Sequence, residues 1–119
     1  MREPYLLYTI VRIKSILSKI NLEKYNINGI YSVTQRDIYV KLLELSRILN
    51  KSYNEKTLSY ICEYLFEICS LFNKFYSECN IVNESDNDKK ETYIGLLHLL
   101  YNTCEKLLDI LAIKIPNRM

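Results

Sequence analysis

Tyr5, Tyr8, Arg12, Ser15 and Lys19 recur at steps of three and four, which puts aromatic rings and cations on one face if the stretch is helical. Such a face suits unpaired RNA, because bases stack on the phenol rings while Arg and Lys meet phosphates. The same pattern also describes the solvated edge of an ordinary helical bundle, so spacing alone leaves both readings open. Residues for bond-making chemistry are scarcer. The one histidine, His98, is followed by Cys104 and Asp109 at intervals that do not bring the three onto one helix face, so no catalytic set is expected. Cys62, Cys69, Cys79 and Cys104 form no CxxC and are expected to be buried free thiols. Cys62 and Cys69 share a helix face, but two ligands close no structural metal site, and none is expected. Glu84, Asp86 and Asp88 alternate like a calcium loop yet lack its turn glycine and closing Glu; they read as a solvated loop and helix start.

The elements that must position these residues follow from apolar spacing. From Pro4 to about Ile20, the residues Leu6, Ile10, Ile13, Leu17 and Ile20 predict an amphipathic helix. Residues 21–33, with Asn26, Asn28 and Gly29, read as a connector. Thr34 with Asp37 resembles a capping box, and Ile38, Leu42, Leu45 and Leu49 continue one helix with a bend near Ser46. The longest strict seam, Leu58, Ile61, Leu65, Ile68, Phe72, Phe75 and Cys79, predicts the central helix. A last helix carries Tyr93, Leu97, Leu100, Cys104, Leu107 and Leu111, with Pro116 as its stop.

A chain of 119 residues, 49% hydrophobic, with two Gly and two Pro, suits helices joined by polar connectors: one all-α domain over residues 1–119, a bundle of four or five helices. The net charge of +2 provides no broadly basic surface, so any RNA contact rests on local placement. Free thiols fit a reducing compartment, no apolar run reaches membrane-spanning length, and no secretory signal opens the chain; a cytoplasmic protein is expected.

Three ordered blocks carry a family resemblance. Tyr5-Leu6-Leu7-Tyr8 through Arg12-Ile13-Lys14-Ser15-Ile16 is similar to a Y-x-x-Y-A-x-x-R-I-x-S-I/V stretch. Tyr64-Leu65-Phe66 through Phe72-Asn73-Lys74-Phe75-Tyr76 to Cys79 is similar to Y-L-[YF]-x-L-A-x-x-F-N-x-F-Y-x-x-C. Leu107 to Met119 is similar to a closing G-L-x-L-L-G-I-x-x-P-E-R-M. Together they resemble the C-terminal, DALR-type anticodon-binding domain of arginyl-tRNA synthetases. Leu107 and Ala112 depart from two usual glycines, Asn117 from Glu, Leu58-Ser59 from Pro-His, and Tyr93 from a common Arg.

The resemblance implies a helical domain that binds the anticodon loop of arginine tRNA through Tyr5, Tyr8, Arg12, Lys19, Tyr76, Arg118 and Met119. It also implies a second partner, the catalytic domain of a parent ligase that joins arginine to tRNA with ATP. No catalytic residue, cofactor or metal is then expected in this chain, and Met1 is expected to be a fragment start. A stand-alone helical tRNA-binding or protein-interaction module, and the equivalent domain of another class I synthetase, are the alternatives. Substituting Tyr5 and Tyr8 together by Ala is expected to weaken the RNA interaction without unfolding the domain.

Overall fold

Apolar residues at helical spacing, with scarcely a glycine or proline to interrupt them, leave this chain helix-on-helix packing as its way to bury surface. The computed structural model describes residues 3–20 and 25–112, which form five α-helices and no strand. They are α1 (Glu3–Lys19), α2 (Val33–Leu43), α3 (Leu45–Glu55), α4 (Ser59–Glu78) and α5 (Asn87–Ile110). The fold is the expected all-α bundle.

α4 is central: it packs against each of the other helices. Its seam does this, since Ile61, Leu65, Ile68, Phe72 and Phe75 are buried, each such side chain contributing roughly 1.5–3 kcal/mol. Tyr5 meets Phe66 and Arg12 meets Tyr76, so α1 and α4 run in the same direction. Phe75 meets Tyr93 while the free thiol of Cys69 hydrogen-bonds with that of Cys104, so α5 runs against α4. On α1 the buried face is Leu6, Ile10, Ile13 and Ile16; Leu17 and Ile20, expected in the seam, pack only at its margin.

The second predicted helix is two. The break falls at Glu44 rather than near Ser46, and the Glu44 N–H closes the end of α2 on Lys41 O at 3.1 Å. Its start also differs: the cap is Ser32, whose Oγ accepts from the Gln35 N–H at 3.1 Å, and Thr34 is buried inside the first turn. Ser32 and Gln35 stand in the S-x-x-Q relation of a capping box. The fully buried Gln35 reaches back, its Oε1 accepting from the Tyr31 N–H while its Nε2 donates to Gly29 O and the Tyr39 hydroxyl.

That glutamine fixes the connector before α2, which lies across α5. Thr92 Oγ1 accepts the Asn28 N–H at 3.1 Å and contacts Asn28 Oδ1 at 2.8 Å. A Cβ on Gly95 would come 3.0 Å from Ile27, so a glycine here lets connector and helix approach closely. Tyr25 stacks on His98 at 4.4 Å, which gives the histidine a structural partner.

Asp86 caps α5 by accepting the Asp88 and Lys89 N–H groups, so part of the acidic stretch is a helix start. The described end of α5 is Ile110, with Ala112 left-handed at φ 59; Pro116 lies outside the described residues. A left-handed position just past a helix favours glycine, which accounts for the residue usual at Ala112 in the resembled motif. Of the thiols expected to be buried, Cys69 and Cys104 are, Cys79 is half-buried, and Cys62 is exposed. Cys62 lies in the first turn of α4, close to where Leu58 is itself half-exposed.

Candidate nucleic-acid interface

Tyr5 and Arg12 of α1 meet α4 along one edge, and Tyr8, four residues before Arg12, stands beside them on the same helix face. Tyr8 is 60% exposed, Arg12 is exposed, and Tyr76 from α4 is 38% exposed. The Arg12 guanidinium carbon stands 4.8 Å from the Tyr76 ring centre, a cation–π contact, and its Nη1 donates to Asn73 Oδ1 at 2.8 Å. Phe72 supports the Tyr76 ring from beneath, edge to face, at 5.9 Å. The Tyr76 ring is therefore a half-exposed surface with a cation laid across it.

Tyr5 differs from Tyr8. Its ring packs 5.3 Å from Phe66, its hydroxyl accepts from Asn73 Nδ2 at 2.9 Å and lies 3.4 Å from Ser70 Oγ. It is half-buried and ties α1 to α4, so unlike Tyr8 it also braces the packing of the two helices. Thr9, buried, joins the same cluster by accepting from Asn73 Nδ2 at 2.9 Å.

Lys19 is exposed in the last turn of α1, two helical turns beyond Arg12. Arg118 and Met119 lie outside the described residues. Beside Tyr76 an open depression of about 390 Å³ is lined by Ile16, Tyr76, Cys79, Asn80 and Ile81 among others. The edge thus offers two half-open rings, a stacked guanidinium and a lysine next to a concavity, a set that can hold planar bases and their phosphates.

The residue that spacing arguments passed over is Asn73. It sits one position from the buried Phe72 and three before Tyr76, so its place on the Tyr76 face was readable. What the one-dimensional pattern lacks is the α1 side of the contact, which only helix packing supplies.

Elsewhere, a hollow of about 690 Å³ between the ends of α3 and α5 is lined by Leu49, Ser52, Leu58, Ile61 and Ile110 among others. Its described lining includes no carboxylate, imidazole or thiol. Cys69 is buried against Cys104, and the hydrogen bond to that partner, then burial, pushes its thiol up and keeps it protonated. Among the described residues no three His, Cys, Asp or Glu side chains cluster as metal ligands. No helix of the described residues is long and apolar enough to cross a membrane.

Comparison with known proteins points to one family. The DALR anticodon binding domain family matches residues 6–119. The chain is 36% identical over 120 residues to an arginine–tRNA ligase of Alkaliphilus oremlandii, covering 98% of this chain and 20% of the relative. It is 34% identical over 123 residues to one from Agathobacter rectalis, covering 98% of this chain and 21% of that protein. An arginine–tRNA ligase of Francisella tularensis is 34% identical over 125 residues, 98% of this chain and 22% of the relative. The chain spans about a fifth of the length of these curated relatives.

Proposed function

The chain belongs to the DALR anticodon-binding domain family, and from that premise we propose that it recognises the anticodon loop of arginine tRNA for an arginine–tRNA ligase. The observation that carries this reading is the α1–α4 edge, where Arg12 is laid over Tyr76 beside the exposed Tyr8. Anticodon bases leave their stack readily, so a protein can take them onto rings and read their edges. Tyr8 and Tyr76 supply the rings, and Arg12 and Lys19 neutralise phosphates. Tyr5 braces the edge, and Arg118 and Met119 complete it by family resemblance.

Joining arginine to tRNA with ATP belongs, in this proposal, to the remainder of a longer protein. Binding at the anticodon then serves the distant reaction by orienting the acceptor end, which lowers the barrier to transfer. The catalytic domain is the second partner. The outer side of α2, where Val40 and Leu43 are exposed, is an apolar surface that such a contact would cover.

The test is a fluorescence titration of the 119-residue chain with an arginine-tRNA anticodon stem-loop, a non-cognate stem-loop and a salt series. The proposal expects preference for the arginine RNA and a log–log salt slope of about −1.4, two phosphates at about −0.7 each. Equal, weak binding to both RNAs would remove anticodon recognition from the account.

A further inference from the structure

The α1–α4 edge holds its arginine in place before any ligand arrives, and one side chain does the holding. Asn73 Oδ1 accepts from Arg12 Nη1 at 2.8 Å. Its Nδ2 donates to the Tyr5 hydroxyl and to Thr9 Oγ1, both at 2.9 Å. An amide has two N–H groups and one oxygen, so three partners on α1 use both of its donors and its acceptor at once. Those partners come from successive turns of α1, while Asn73 belongs to α4.

We infer that Asn73 is a positioning residue: it sets the Arg12 guanidinium over the Tyr76 ring and so preorganises the cation that meets the RNA phosphate. The inference rests on the RNA-binding reading of this edge. An exposed arginine otherwise samples many rotamers and must give up that freedom when it binds. Here the Tyr76 ring and the Asn73 oxygen restrict it beforehand. A guanidinium carries five N–H donors and Asn73 takes one; the rest have no acceptor among the described residues and can grip a phosphate in a fork. Asn suits this position better than its relatives. Asp would accept from Arg12 but lose both donors and cancel the charge; Ala or Leu would leave the guanidinium only the Tyr76 ring to hold it.

The test measures binding of the arginine-tRNA anticodon stem-loop by four forms of the chain: parent, Asn73→Ala, Arg12→Ala and the double variant. Asn73→Ala is expected to weaken binding by about tenfold, the size of one lost charge-assisted hydrogen bond. In the Arg12→Ala background the same change is expected to do nothing further, because its effect passes through that arginine. Thr9→Val removes one branch of the Asn73 cluster without touching Arg12, so it is expected to lower the melting temperature and leave affinity alone.

A second readout needs no RNA. The Arg12 guanidinium proton resonance, displaced by the Tyr76 ring, is expected to relax toward a free-arginine value in Asn73→Ala and to stay displaced in Asn73→Asp. Asn73→Asp keeps the shape of the side chain, so it remains informative if Asn73→Ala does not fold. It is expected to bind RNA more weakly because its carboxylate cancels the arginine's charge. Equal losses in both backgrounds, or parental affinity in Asn73→Asp, would overturn the positioning role. Should Arg12→Ala bind RNA as well as the parent chain, the reading of the whole edge fails and the inference falls with it.

Discussion

Two sets of tyrosines divide this molecule: Tyr5, Tyr8 and Tyr76 line the outer α1–α4 edge, while Tyr64 and Tyr93 lie inside the bundle. The inner phenols each have a fixed partner. Tyr64 is 1% exposed and donates to Lys41 O at 2.7 Å, which ties α4 to the end of α2 where Lys41 also pairs with Glu67. Tyr93 packs edge-on against Phe75 and Tyr31, filling the space where connector, α4 and α5 meet. Burial raises the pKa of both phenols, so they stay neutral. Tyr8 and Tyr76 instead keep a face toward water, with Arg12 laid over Tyr76, while Tyr5 braces them from the α1–α4 seam. The difference teaches that tyrosine at helical spacing is a stability residue or a reading residue according to what the next helix covers.

The largest test of this division is Tyr64→Ala, expected to lower unfolding free energy by about 3–5 kcal/mol in urea denaturation, the range for emptying a buried aromatic site. Next is alkaline pH. The Tyr93 phenol is pushed up to about 12 from 10.0, chiefly by burial. Below pH 10.0 it is neutral whether folded or unfolded, and its contribution is fully present. From pH 10.0 toward about 12 the unfolded chain ionises first, so stability falls through that window. Tyr93→Phe should flatten this part of the stability–pH curve.

On the outer edge the expected effects move from stability to affinity. Tyr8→Ala should weaken RNA binding by about 1–3 kcal/mol, the value of one stacked base, and shift stability by less than about 0.5 kcal/mol. Fluorescence titration and denaturation on the same sample separate the two. Tyr5→Phe, which removes only the hydroxyl held by Asn73, should cost about 1 kcal/mol of stability. A stability loss for Tyr8→Ala as large as that for Tyr64→Ala would erase the distinction between the two sets.

Much of the frame was readable from the chain. Leu65, Ile68, Phe72 and Phe75 recur without interruption, and a seam that regular can bury itself only as a helix. The family blocks marked Tyr8, Arg12 and Tyr76, and the structure gathers these three on one edge. Local pattern failed where a residue's partner lies far along the chain. The Gln35 side chain holds the connector ahead of the Ser32 cap, Thr92 anchors that connector from α5, and Asn73 binds three residues of α1. None of these pairings has a sequence period. Cys62 failed for a different reason: periodicity gives a face, but not whether a neighbouring helix reaches far enough to cover it. The cap at Ser32 was legible as S-x-x-Q, but Thr34 with Asp37 offered a competing start two residues on.

The most direct measurement follows the tyrosine ring protons by NMR while an arginine-tRNA anticodon stem-loop is added to the chain. The account predicts that Tyr8 and Tyr76 shift together with the Arg12 guanidinium, while Tyr64 and Tyr93 hold their positions. Saturating RNA that leaves Tyr8 and Tyr76 unmoved, or that shifts signals on a different surface, would contradict it.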